Sequence, residues 1–194
     1  KALTDRSKNQ YGILIGTKPE AYAEQTFTHL AIANGVKEFD GNGNLIFNSP
    51  ETLETIKYYK KLAAYNPPGP QTWRARDYYL QGKMAMFFYS TYIMDDLALA
   101  EVAKGSLTSE NFAELKDGQF DPNLVENTGF APIISNKTDS SYGVLVGLSV
   151  LKNSNMAQSK AAQKWIQFLY EPFAYISFLH MAPGGMNPML KEIP

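Results

Sequence analysis

Cysteine is absent from the 194 residues, so disulfide bridges, thiolate metal sites and cysteine nucleophiles are excluded together. The compartment stays open on that count. Histidine is scarce: His29 and His180 stand far apart, each in a helical pattern, whereas a metal site needs ligands at matched spacing, such as two His four apart on one helix face. Both read as core or surface residues. An excess of one charge is lacking as well. With 18 basic and 19 acidic side chains the formal net charge is -1, which gives no electrostatic reason to expect nucleic acid or an anionic membrane surface as partner. No apolar run approaches the roughly 20 residues that a membrane-spanning helix requires. A Gly-x-Ser-x-Gly nucleophile elbow is missing, and so is a phosphate-cradling glycine loop ending in Lys then Ser or Thr. Gly82-Lys83-Met84 is only superficially like the latter.

Apolar residues make up 44% and charged residues 19%, enough to bury one good-sized core or to build two small lobes. Aromatics reach 13%. Their usual fate is the core, but here they punctuate loops as well as apolar faces. The chain opens Lys-Ala-Leu-Thr-Asp-Arg, with neither an initiator Met nor a signal-peptide pattern, and is expected to be part of a longer protein.

Residues 11–15 alternate and predict a strand ended by Gly16-Thr17-Lys18-Pro19. A helix over 20–34 follows, with Phe27, Leu30 and Ala31 on one face and Gly35 at the position that tolerates positive φ. Asp40-Gly41-Asn42-Gly43-Asn44 predicts a tight turn into a short strand over 45–47. The segment imitates a calcium loop, with Asp40, Asn42, Asn44 and Glu51 at ligand spacing, but Leu45 stands where the loop wants glycine, so a hairpin turn is the reading. Ser49-Pro50-Glu51 starts a helix by cap, ring and dipole together. It is expected to run to about residue 65, burying Leu53, Ile56, Tyr59, Leu62 and Ala63.

Asn66-Pro67-Pro68-Gly69-Pro70 stops that helix. A short helix over 73–81 closed by Gly82, a strand over 83–88 buried on both faces, and helices over 91–102 and 109–115 are expected next. Brief strand 128–132, polar loop 133–141 and buried strand 142–151 follow, the last with Gly143 and Gly147 allowing a bend. Helix 156–170 is expected to bury Ala161, Trp165 and Leu169, and Pro172 begins a final helix to His180. Pro183-Gly184-Gly185-Met186-Asn187-Pro188 is a rigid, turned loop.

Recognition without chemistry is what these residue types support best. Sugars are held by flat aromatic faces against their C–H surfaces and by planar polar groups against their hydroxyls. Trp73, Arg74, Arg76, Asp77, Tyr89 and Tyr92 supply both kinds within one run. The alternative is a hydrolase with paired carboxylates, for which Asp77, Asp95 and Asp96 are the available members. Asp95 and Asp96 also suit the positive end of a helix dipole.

The order of the pieces carries a resemblance. Asp40-Gly41-Asn42-Gly43-Asn44, Phe47-Asn48-Ser49-Pro50-Glu51, the following helix, Pro67-Pro68-Gly69, Trp73 and Gly82-Lys83-Met84-Ala85-Met86 resemble family 1 extracellular solute-binding proteins, the carbohydrate-capturing subunits of ABC importers. Gly129-Phe130-Ala131-Pro132, Tyr142-Gly143-Val144-Leu145-Val146-Gly147, the stretch 161–169 and Ala182-Pro183-Gly184-Gly185-Met186-Asn187-Pro188 continue the likeness in order. The resemblance implies an α/β fold: a periplasmic-binding-protein type II-like lobe, with a central mixed sheet flanked by helices, in an incomplete two-lobe architecture.

Residues 1–141 would be mainly the second lobe, and 142–194 a crossing strand with helices returning toward the other lobe. The implied function is non-catalytic: a sugar or oligosaccharide is captured in a cleft and delivered to an ABC transporter permease. No cofactor and no metal are implied, and the location would be extracellular, as a cell-surface lipoprotein, or periplasmic. Trp73, Tyr89 and Tyr92 would stack on the ligand, and Arg76 and Asp77 would take its hydroxyls. Tyr142 and Gly143 would lie near the lobe crossing, and Gly184, Gly185 and Met186 would form a cleft-edge loop. Two departures stand out: members of the family are usually about twice as long, and maltose-type members tend to carry Trp where this chain has Tyr92.

Overall fold

A computed structural model describes residues 1–73, 76–98, 118–152, 155–182 and 184–191. The chain divides into two compact units, unit 1 of residues 1–89 and 97–142, and unit 2 of residues 90–96 and 143–194.

Unit 1 is built around two extended segments. Tyr11 and Leu14 pair in parallel with Met84 and Phe87, through Tyr11 N–H to Lys83 O at 2.9 Å and Leu14 N–H to Met86 O at 3.0 Å. These are bridges rather than a continuous ladder. Helix α1, Ala21–Ala33, lies after the first segment and buries Tyr22, Thr26, Leu30 and Ala31. Gly35 closes it at φ 79°. The strands β1, Ile134–Ser135, and β2, Asp139–Ser140, form an antiparallel pair. Their turn caps α1, because the Lys137 and Thr138 N–H groups both donate to Ala33 O, at 2.9 and 3.0 Å. Those donors satisfy a carbonyl that a helix end leaves without an internal partner.

Helix α2, Pro50–Ala63, starts as its sequence dictates, with Ser49 Oγ accepting from Thr52 N–H. Of its expected buried face Tyr59, Leu62 and Ala63 are half-buried, and the first half is a correction. Thr52 and Thr55 are buried, whereas Leu53 and Ile56 are 53% and 49% exposed. Threonine hydroxyls can be buried there because each finds a nearby carbonyl: Thr55 Oγ1 donates to Glu51 O at 2.8 Å and Thr52 Oγ1 to Phe47 O at 2.5 Å. Helix α3, Arg76–Leu80, is followed by Gly82 at φ 68°. The segment 83–88 buries Met84 but leaves Ala85 exposed and Met86 52% exposed, so the expectation of burial on both faces is corrected.

The turn at 40–44 forms without the strand expected after it: Phe39 and Leu45 make one antiparallel bridge. The Asp40 carboxylate accepts from the N–H groups of Asn42 and Asn44 and from the Asn44 side chain, at 2.8 to 2.9 Å. Those donors, the Asn44 amide foremost, hold it below the ordinary Asp value of 3.8. A depressed folded value means the turn's contribution is present above the ordinary carboxylate range and is lost as pH falls through the folded value. In a carboxyl-detected NMR titration, Asp40 is expected to show a midpoint below 3.8 that rises in Asn44→Ala; a midpoint at or above the ordinary value would contradict the hydrogen-bond assignment.

Helix α4, Ile93–Ala98, begins within the expected 91–102, and the expected helix 109–115 lies outside the described residues. Helix α5, Leu124–Asn127, precedes 128–132, which is not a strand. The loop expected at 133–141 instead holds β1 and β2. Residues 142–151, all but the first in unit 2, correct the expectation of a buried strand: Leu145, Val146 and Leu151 are 73%, 82% and 82% exposed. A strand needs a neighbour for its backbone groups, and among the described residues none pairs with this segment. Helices α6, Met156–Leu169, and α7, Pro172–Leu179, pack together. Trp165, expected inside α6, is 57% exposed and Ala161 is exposed too; Leu169 is half-buried as expected, together with Ser159, Ala162 and Ile166. Tyr175 anchors unit 2, stacked on Tyr170 and accepting the Met189 N–H at 2.9 Å. Among the described residues no helix is long and apolar enough to cross a membrane.

Candidate functional site

The loop before Trp73 is fixed by one side chain. Gln71 is fully buried, and its amide nitrogen donates to the carbonyls of Pro67, Pro68 and Gly69 at 3.0, 3.1 and 2.9 Å. Its backbone is tied to the end of the first extended segment: Gln71 N–H donates to Thr17 Oγ1, and Gln71 O accepts from the N–H groups of Thr17 and Lys18. Trp73, two residues on, therefore leaves from a held backbone.

The indole lies against Tyr22 at 4.7 Å between centroids and meets Tyr89 edge-on at 5.5 Å. Tyr89 stacks on Phe87 at 5.3 Å and Phe87 on Tyr79 at 4.6 Å. Five rings thus run in line, Tyr22, Trp73, Tyr89, Phe87, Tyr79. Phe87 and Tyr89 share a side because alternate residues of extended chain do so. Tyr22 is the buried end, with its hydroxyl donating to Phe88 O at 2.7 Å. Burial, with Tyr59 and Tyr89 adding to it, pushes its phenol well up, so it stays protonated and donating. Trp73 and Tyr89 are half-buried.

Arg76 starts α3 and carries its guanidinium carbon 6.0 Å from the Tyr89 ring centroid, within the range of attraction between a cation and a ring face. Asp77, the next residue, is buried at 8% exposure in the same first turn. Trp73, Arg76 and Tyr89 are thus brought together in unit 1, with Asp77 adjacent in sequence. Arg74 lies outside the described residues.

Within unit 2, Tyr92, Gly184 and Gly185 are brought together. A β-carbon on Gly185 would stand 2.7 Å from Tyr92 Cδ1, so the ring rests on glycine backbone. Met186 follows half-buried. Tyr142 and Gly143 stand where the chain passes from unit 1 to unit 2, exposed, and neither makes a side-chain hydrogen bond or ring contact among the described residues. The carboxylates of the hydrolase alternative all occupy helix first turns, Asp77 in α3, Asp95 and Asp96 in α4, where the dipole favours them. Among the described residues no group of three His, Asp or Glu side chains is placed to hold a metal ion.

Sequence reasoning missed Tyr22, Phe87 and Tyr79. The alternation of Phe87 and Tyr89 was a usable signal for the first pair. Tyr22 carried none, because a tyrosine near a helix start reads as ordinary core.

Three comparisons bear on this arrangement. The model of a family described as bacterial extracellular solute-binding protein matches residues 1–174. YcjN of Escherichia coli (strain K12), provisionally described as an ABC transporter periplasmic-binding protein, is 27% identical over 192 residues, covering 98% of this chain and 39% of its own length. An ABC transporter solute binding protein from Agrobacterium radiobacter K84, crystallised in complex with ribitol, matches with a TM-score of 0.64 at 20% identity, covering 95% of this chain and 43% of that one. At that identity the likeness speaks to fold, and it is the α/β fold of a periplasmic solute-binding protein in part. The chain thus spans well under half the length of these relatives. With a family model covering all but its last residues, the chain belongs to the bacterial extracellular solute-binding proteins.

Proposed function

We propose that this chain is part of the non-catalytic, solute-capturing subunit of an ABC importer, exported from the cell, whose ligand is a carbohydrate or a related polyol. The observation that carries the reading is the half-buried Trp73–Tyr89 ring pair with the Arg76 guanidinium beside it. A polyol offers C–H faces for rings and hydroxyls for a fork of N–H donors. The relative solved with ribitol supports the same ligand class.

In unit 1, Trp73 and Tyr89 stack on the ligand, and Arg76 and Asp77 take hydroxyls. In unit 2, Tyr92 offers a further ring, with Gly184, Gly185 and Met186 as the loop beside it. Tyr142 and Gly143 serve the chain's passage between lobes. In the complete protein, ligand would favour the closed form by its differential affinity for it, and that form would dock on the membrane permease.

Calorimetric titration of the full-length protein with mono- and oligosaccharides and sugar alcohols tests this. Heat from at least one polyol is expected, and Trp73→Ala should weaken that ligand about tenfold or more, the loss of a stacking face. Heat only from peptides or metal ions would overturn the reading.

A further inference from the structure

We infer that Gly185 and Thr91 are positioning residues for the Tyr92 ring: together they form a seat that fixes where the ring stands. The inference rests on the proposal that Tyr92 contacts ligand, and it assigns the residues that make such a contact reproducible.

Tyr92 is 44% exposed, and an exposed tyrosine ring ordinarily moves among rotamers on a fast timescale. Three observations in unit 2 remove that freedom. The backbone of Tyr92 is committed to the start of α4, its carbonyl accepting from the N–H groups of Asp95 and Asp96 at 3.1 and 3.3 Å. The ring lies directly on Gly185: a β-carbon there would approach Cδ1 to 2.7 Å and Cγ and Cε1 to 3.0 Å, closer than side chains tolerate. The loop is in turn tied to the segment that carries the ring, since Thr91 Oγ1 donates to Gly185 O at 3.0 Å.

The neighbouring turn has the same character. Gly184 takes φ 81° and a β-carbon on it would meet Met94 Cβ at 3.0 Å, while Ala182 O accepts from the N–H groups of Gly185 and Met186. Two consecutive glycines thus let backbone approach the residues on either side of Ile93. A methyl group at Gly185 leaves two outcomes, a displaced ring or a displaced loop that breaks the Thr91 bond. Either moves the aromatic face relative to the unit that bears it, and stacking loses its strength when a ring is tilted or shifted.

Two measurements on the full-length protein test the seat. The first needs no ligand: Gly185 Hα protons lying against the Tyr92 ring should be shifted upfield in the NMR spectrum and should return to ordinary values in Tyr92→Leu. The second is a binding cycle with ribitol, or with the panel sugar giving the largest heat if ribitol gives none. Gly185→Ala should weaken binding about tenfold in the parent and little in a Tyr92→Ala background. Thr91→Val should weaken it less, with Thr91→Ser restoring parent affinity.

The absence of the ring shift overturns the seat. Equal losses from Gly185→Ala in both backgrounds overturn the positioning role, since the glycine would then act on ligand without the ring. Failure of every polyol to bind the parent protein instead overturns the functional reading on which the role rests.

Discussion

Gly16→Ala is expected to destabilise the protein by about 2–4 kcal/mol, the upper range for forcing a methyl group into a filled interior. A β-carbon at this position would stand 2.5 Å from both the N and the Cα of Ala23, and 2.8 Å from the Tyr22 carbonyl carbon. Those atoms belong to the first turn of α1 and cannot rotate aside as a side chain would. Gly16 cannot retreat either. Its N–H donates to Thr26 Oγ1 at 3.2 Å and its carbonyl accepts from the Tyr59 hydroxyl at 2.6 Å, so moving the backbone would break buried hydrogen bonds on both sides.

Tyr59 Oη also stands close against Thr26 Oγ1, and Thr26 Oγ1 donates to Tyr22 O at 3.0 Å. The strain would therefore reach the aromatic line through Tyr22. Gly12→Ala is the control, because its β-carbon would meet first the Thr4 hydroxyl at 3.0 Å, a side-chain group whose displacement gives up only its bond from the Gly12 N–H. It should cost less than about 1 kcal/mol. Urea unfolding of the two variants decides the matter; equal, small losses would contradict the close approach of α1 to the first extended segment.

Asn66→Ala is expected to cost about 2–4 kcal/mol, the range for two buried backbone groups each left without its partner. Asn66 is 4% exposed, and its amide reads Ile15 as a neighbouring strand would: Nδ2 donates to Ile15 O at 2.9 Å, and Oδ1 accepts from Ile15 N–H at 3.0 Å. Ile15 is completely buried, so water offers no replacement. Asn66→Asp keeps the shape but turns the donor into an acceptor facing the Ile15 carbonyl. It should be at least as damaging at neutral pH and should recover in part as pH falls, because only the protonated acid regains a donor. Chemical unfolding at two pH values checks both parts; an aspartate variant whose stability is independent of pH would show that the amide does not play this role.

What was legible in the sequence was whatever a few adjacent residues decide. Ser49, Pro50 and Glu51 gave the start of α2 because cap, ring and dipole act within one turn. Gly35 and Gly82 marked helix ends because the backbone there takes positive φ. The face of α2 was legible only in its second half, where Tyr59, Leu62 and Ala63 are half-buried; in the first half the periodicity indicated Leu53 and Ile56, but Thr52 and Thr55 are buried instead. Hydroxyls that bond nearby carbonyls can be buried at little cost, and a hydropathy pattern does not record that.

Residues 142–151 failed for another reason. Their apolar character was read correctly, but whether such a run is buried depends on a neighbour that no residue inside it specifies. The candidate site divides the same way. Trp73, Arg76 and Tyr89 were flagged by type and do come together; the Tyr22 face beneath Trp73 depends on the packing of α1 and left no mark in the run itself.

The Gln71 amide bears on how this molecule can be observed. Proline has no N–H, so Pro67, Pro68 and Pro70 leave a segment with almost no backbone protons to report its opening. The hydrogens that record whether the proline run itself is closed are carried by a side chain: two amide protons divided among three carbonyls. Solvent exchange of that pair is therefore the clock for the proline run, where peptide N–H groups, at Gln71, Thr17 and Lys18, report only on the loop's end.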